Sequence, residues 1–279
     1  MSYSGAGESA AVPRQAEAEL YGGNRLRLFV VAYLAGIAAA EICVVFVNVW
    51  IGVLAEGLLA LASINHYLFA GRRSQGVEDV ESASGPLAVL LVIPLVPLVR
   101  ILSLTMTFED VSDLTQYSVV GIPLLLGAIL TGRVVRSRHL AWRPVDWPSQ
   151  GLIALSGVPL GFAAFLVARP PALHAGWRQI LFGTLSLSIS AALTEEFIFR
   201  GLLQEALSRL FGGFALLLST GAFAITYLAV RPVDYLVLVT IVGLLFAWAV
   251  ERTGSLVGVV LAHGLLNIGL VLVWPWVVG

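Results

Sequence analysis

Three short groups of residues in this chain have the types and spacing to do chemistry. Glu195 and Glu196 stand side by side, and Arg200 follows four positions after the second. Four residues is the helical spacing at which a carboxylate and a guanidinium meet, so Glu196 and Arg200 can neutralise each other. On the same helix Glu195 points about 100° away and is left free to take a proton from water. His263 and Asn267 repeat the four-residue spacing and project from one helical face. They offer donors for a developing oxyanion, or a nitrogen and an oxygen for a metal ion. Between these groups runs Ser219 to Tyr227, where small residues let a neighbouring helix approach and the Thr226 or Tyr227 hydroxyl can bond across. Each group also has a plain structural reading: an ion network bracing a bundle, a helix-to-helix bond from His263, and close packing around Tyr227.

In this order the groups resemble the CAAX prenyl protease and bacteriocin-processing family of intramembrane endopeptidases, also called CPBP or Abi. Its pattern is Glu-Glu-x-x-x-Arg, then Phe-x-x-x-His, then His-x-x-x-Asn or a small polar residue in place of the Asn. The stretch Glu195-Glu196-Phe197-Ile198-Phe199-Arg200-Gly201 matches the first, with the aromatic and the glycine that flank its arginine, and His263-Gly264-Leu265-Leu266-Asn267 matches the third. Phe223-Ala224-Ile225-Thr226-Tyr227 holds the second spacing but carries tyrosine where the family has histidine. The resemblance covers about residues 150 to 279.

It implies an endopeptidase that cuts a membrane-associated substrate, prenylated or leader-bearing. Glu195 would be the general base, Glu196 and Arg200 would orient it, and His263 and Asn267 would form the oxyanion hole. Tyr227 would stand in the missing histidine's place. A phenol donates a hydrogen bond to water but is a poor base at neutral pH and a poor ligand for a divalent ion such as zinc. Two readings therefore stand: a working endopeptidase, or a chain that keeps the fold as scaffold or accessory subunit of a membrane complex. A water-sized, accessible cavity where Tyr227, Glu195, His263 and Asn267 meet would favour the first; a filled apolar centre with Tyr227 bonded to Glu195 and no entrance would favour the second. Of the other histidines, His139 and His174 fall in expected loops, and His66 in an early helix is the one with a route to the interior.

The elements that must hold these groups follow from composition. Of 279 residues 58% are hydrophobic and only 12% charged, about half the usual charge and too little polar surface to cover a soluble globule. The expectation is an all-α integral membrane protein, a polytopic bundle of about eight to nine spanning helices in the cell membrane, its surface against the lipid bilayer. Runs of about 20 apolar residues fall near 28–53, 55–71, 86–107, 117–132, 151–168, 179–204, 213–230, 235–250 and 255–277. Arginines cluster after alternate runs: Arg14, Arg25 and Arg27 before the first, Arg72 and Arg73 after the second, and Arg133, Arg136, Arg138 and Arg143 after the fourth. The other side receives Arg169, Arg178, Arg231 and the acidic Glu109, Asp110 and Asp113, so the N-terminus is expected in the cytoplasm.

This divides the chain into a polar tail over 1–27, N-terminal membrane helices over 28–145 and a protease-like core over 150–279. A net charge of -1 lacks the basic footprint of a nucleic-acid binder, and the single Cys43 excludes an internal disulfide or thiol cluster. The first residues carry no cleavable signal pattern. Charge inside a span is costly, and Glu41, Glu56, His66, Arg100, Glu195, Glu196, Arg200, Glu205 and His263 all lie within expected spans. For the N-terminal set, a Glu41–Arg100 ion pair is expected to hold the early helices together, unless Arg100 instead reaches Glu195 or Glu196 and joins the two halves in one polar centre.

Overall fold

The computed structural model describes residues 12–73, 85–105, 113–140, 145–172, 176–186, 191–228 and 233–278, and these form helices and turns with no strand among them. In chain order the helices are α1 (Val12–Phe46), α2 (Val49–Arg73), α3 (Val89–Val92), α4 (Leu95–Thr105), α5 (Asp113–Val134), α6 (Trp147–Leu155), α7 (Gly157–Ala168) and α8 (Trp177–Ser186). They continue as α9 (Thr194–Glu196), a π-helical stretch Phe197–Leu203, α10 (Gln204–Phe211), α11 (Ala215–Ile225), α12 (Val233–Thr253), α13 (Val257–Ile268), a second π-helical stretch Gly269–Val273 and α14 (Trp274–Val277).

Among the described residues six stretches are long and apolar enough to cross a bilayer: Gly23–Phe46, Val49–Ala70, Trp147–Ala168, Ile180–Ile225, Val233–Thr253 and Val257–Val277. Two shorter apolar helices, Pro86–Leu102 and Gly121–Val134, accompany them. The chain is thus a helical membrane bundle. Its outer surface agrees: Leu28, Phe46, Leu152 and Phe214 are each at least 70% exposed, an arrangement unfavourable in water and neutral against lipid tails.

Local chemistry explains where several helices start and stop. The Asn48 side chain accepts the backbone N–H groups of Trp50 and Ile51 at 3.0 and 3.2 Å, which caps α2 directly after α1 ends. Gly212 takes φ +54°, a left-handed backbone that glycine adopts without strain, and it turns the chain between α10 and α11. The first helix reaches back to Val12, into the polar N-terminal segment. Glu109, Asp110, Arg143, His174 and Arg231 lie outside the described residues.

Glycines seat α13, the carrier of His263 and Asn267, against the α6–α7 pair. A Cβ at Gly157 would be driven into the carbonyl of Ala262, and one at Gly161 would lie 2.9 Å from the carbonyl oxygen of Leu266. These glycines, four apart, are the small-residue pattern that lets two membrane helices touch backbone to backbone. Gln150, 1% exposed, adds a polar pin: its Oε1 accepts the N–H of Gly258 at 2.6 Å, one of the donors that the first turn of α13 cannot satisfy internally.

Candidate active site

Glu195 and Glu196 occupy a single α-helical turn, α9, between π-helical segments at 191–193 and Phe197–Leu203. The sequence predicts an uninterrupted α-helix here. Wider π turns recur inside helices at functional sites, and here they flank the carboxylate pair. Arg200 still meets Glu196, Nη1 to Oε1 at 3.3 Å, with both side chains wholly buried. Its guanidinium lies 4.0 Å from the Phe223 ring centre, a cation–π contact strengthened by exclusion of water, and its Nη2 donates to the Gly243 carbonyl at 3.4 Å. Gly243 makes the room: a Cβ there would stand 3.1 Å from that same Nη2.

Glu195 is not free. The Tyr227 hydroxyl donates to its Oε2 at 2.9 Å, and the His263 Nε2 stands 3.9 Å from the same oxygen. The Glu195 side chain keeps 20% of its surface exposed. Tyr227 lies beyond the end of α11 rather than within a span reaching residue 230: the helix closes at Ile225, where the Thr226 and Tyr227 N–H groups turn back to the carbonyls of Phe223 and Ala224 at 3.2 and 3.0 Å. This tightened last turn aims the phenol at Glu195.

His263 bridges the two carboxylates. Its Nδ1 lies 2.7 Å from Glu196 Oε1. With Arg200 as the other partner of the same Glu196 oxygen, Nδ1–H donates to it, and Nε2 is the nitrogen turned toward Glu195. A carboxylate that fixes an imidazole through Nδ1 is the orienting device of hydrolytic triads. The oxyanion role read from the sequence is thereby narrowed to one nitrogen, Nε2. Phe223 is the aromatic hub of the site, in edge contact with Phe199, Tyr227 and His263.

Beside these groups lies a cavity of about 30 Å³, bordered by Glu196, Tyr227, His263 and Asn267 on its polar side and by Tyr235 and Phe246 among its apolar walls. A volume above roughly 10–15 Å³ holds one water. The buried Oε2 of Glu196 has no hydrogen-bond partner among the described residues, as befits a group facing a water site. The donor set does not fit a zinc-like divalent ion. The Glu195 Oε2 is already bonded to a phenol and the His263 Nδ1 to Glu196, and among the described residues no group of three or more His, Cys, Asp or Glu side chains is placed to hold a metal ion.

Of the six residues singled out in the sequence, Glu196, Tyr227, His263 and Asn267 border this cavity, while Glu195 and Arg200 do not line it and contact Tyr227 and Glu196 respectively. His66 lies apart from them. Its ring packs edge-on to Phe29 at 4.7 Å and its Nδ1 is 3.4 Å from the Tyr33 hydroxyl, which places it in the α1–α2 contact. Glu205 has a structural task, accepting the Ser137 hydroxyl at 2.7 Å and Arg209 at 3.0 Å. Sequence reading missed Gln150 and the glycines of α7; the four-residue spacing of Gly157 and Gly161 was the available signal.

Residues 177–269 match the family model described as Rce1-like, type II CAAX prenyl endopeptidase, a stretch that contains all six site residues. No curated protein and no solved structure matches the chain.

Proposed function

From the match of residues 177–269 to the Rce1-like, type II CAAX prenyl endopeptidase model, we propose that this multi-pass membrane protein hydrolyses a peptide bond of a membrane-associated substrate, prenylated or leader-bearing. Glu195 is the general base. It takes a proton from a water in the cavity, the resulting hydroxide adds to the scissile carbonyl carbon, and the same proton passes to the leaving nitrogen as the C–N bond breaks. The oxyanion formed in between is met by the Asn267 amide and by His263 Nε2–H, with Glu196 holding the charged imidazole from its other nitrogen. Tyr227 steadies Glu195 with its hydroxyl and takes no proton itself. The observation that carries this reading is the water-sized cavity bordered by Glu196, Tyr227, His263 and Asn267 next to a partly exposed Glu195.

Cleavage of a panel of prenylated and leader-bearing peptides by the purified protein in lipid nanodiscs tests it. The natural chain is expected to cleave at least one class, and Glu195→Gln to lose about 10²- to 10⁴-fold in rate, the usual weight of a general base. Activity that emerges only in Tyr227→His, with none in the natural chain, overturns the proposal. A stable stoichiometric partner on an inactive natural chain would then identify an accessory subunit.

A further inference from the structure

The expected Glu41–Arg100 pair forms, but it is half of the contact. Arg100 Nε stands 3.0 Å from both oxygens of Glu41, with the two side chains 3% and 1% exposed. A second nitrogen of the guanidinium, Nη2, donates to the backbone carbonyl of Thr226. Arg100 thus reaches neither Glu195 nor Glu196 in the alternative weighed above. It grips the residue immediately before Tyr227, at the end of an eleven-residue helix.

Three physical facts give that grip consequence. A helix leaves its last carbonyls without partners, and an arginine near the C-terminus both bonds them and opposes the negative end of the dipole. Thr226 lies in the tightened turn that carries Tyr227 out of α11, so its carbonyl sets the direction from which the phenol departs. Within that turn the Thr226 hydroxyl is already spent on the Phe223 carbonyl at 2.7 Å. Glu41 on α1 in turn receives Nε–H between its two oxygens, so the guanidinium meets Glu41 with one nitrogen and Thr226 with another, a reach over two partners that a lysine ammonium does not reproduce.

We propose that Arg100 is a positioning residue of the site: held at Nε by Glu41, it clamps the Thr226 carbonyl with Nη2 and so fixes the Tyr227 hydroxyl on Glu195. The N-terminal helices, which lie outside the matched residues 177–269, thereby contribute to the geometry of the reactive centre. This rests on the reading of Glu195 and Tyr227 as the water-activating pair.

The test places meta-fluorotyrosine at position 227 of the full chain in nanodiscs and follows its fluorine resonance. Glu195→Ala defines the unbonded position. Arg100 alone is a poor variant, because its loss strands Glu41 beside the wholly buried Glu56; the double variant Arg100→Met with Glu41→Gln removes the ion pair as a unit and keeps the interior neutral. In the double variant the resonance is expected to move at least halfway to the unbonded position, with Arg100→Lys in between. Ser137→Ala, which breaks the buried bond to Glu205, is expected to leave it unmoved although it also destabilises the fold.

A resonance at the natural position in a folded double variant overturns the proposal. If the double variant does not fold, the same result in Arg100→Lys overturns it. Where peptide cleavage is measurable, kcat in the double variant is expected to fall about tenfold with KM unchanged. A shifted resonance in a chain that cleaves nothing would sink the proposed activity and leave the clamp standing.

Discussion

At residue scale the chain differs by one side chain from the motif pattern it resembles, and the structure shows what that side chain touches. Tyr227 presents a donor where the pattern has a base, and its hydroxyl is bonded to Glu195. A hydrogen bond to an ionised group is worth about 1.5–3 kcal/mol, so Tyr227→Phe is expected to lower kcat/KM by about 10- to 100-fold. Its thermal midpoint should stay near that of the natural protein; peptide cleavage and a melting curve check the pair of values. The Glu196–Arg200 pair makes a second prediction. Both groups are buried, so Glu196→Gln strands a guanidinium and is expected to cost about 3–5 kcal/mol, measured as a lowered denaturant midpoint. Adding Arg200→Met should recover most of it, since the pair is then absent as a unit. The ion pair was readable from a spacing of four, whereas the Nδ1 bond of His263 to Glu196 joins residues 67 apart and no local pattern announces it.

At the scale of elements, the site depends on how α13 sits on α6 and α7. Gly157→Ala would press a methyl group into the Ala262 carbonyl, next to His263, and backbone has little freedom to yield. Overpacking of this kind costs about 1–3 kcal/mol and is expected to lower both thermal stability and cleavage. Gly151→Ala is the matched control: nothing lies within 4 Å of its Cβ, and alanine favours the helix by about 0.5–1 kcal/mol, so stability should be unchanged or slightly raised. Gln150→Ala removes the acceptor of the Gly258 N–H. Leaving that buried donor unmade costs about 1–3 kcal/mol, and the same melting experiment reports it.

At the scale of the molecule, the matched stretch 177–269 contains all six candidate site residues, yet it is held by contacts from outside it. Its last helix is docked on Gly157, Gly161 and Gln150, and its Tyr227 turn is clamped from Arg100. A fragment beginning at residue 177 is therefore expected not to yield a monodisperse, cleaving protein. Co-expression of 1–176 with 177–279 is expected to restore assembly; gel filtration of the two-chain complex checks this. An active, stable fragment on its own would show that the earlier helices are dispensable.

Apolar content and run length determined a helical membrane bundle from the sequence alone, because a bilayer admits only elements whose backbone bonds are satisfied internally. The i to i+4 spacings determined the pairing of Glu196 with Arg200 and placed His263 and Asn267 on one face, because helical neighbours follow from local geometry. Only the tertiary structure decided that Tyr227 occupies Glu195 rather than leaving it free, that His263 spans both carboxylates, and that Arg100 reaches a carbonyl beside the site. Those contacts join separate helices, and one of them ends on a backbone oxygen that every residue possesses. Helix packing alone selects which oxygen that is.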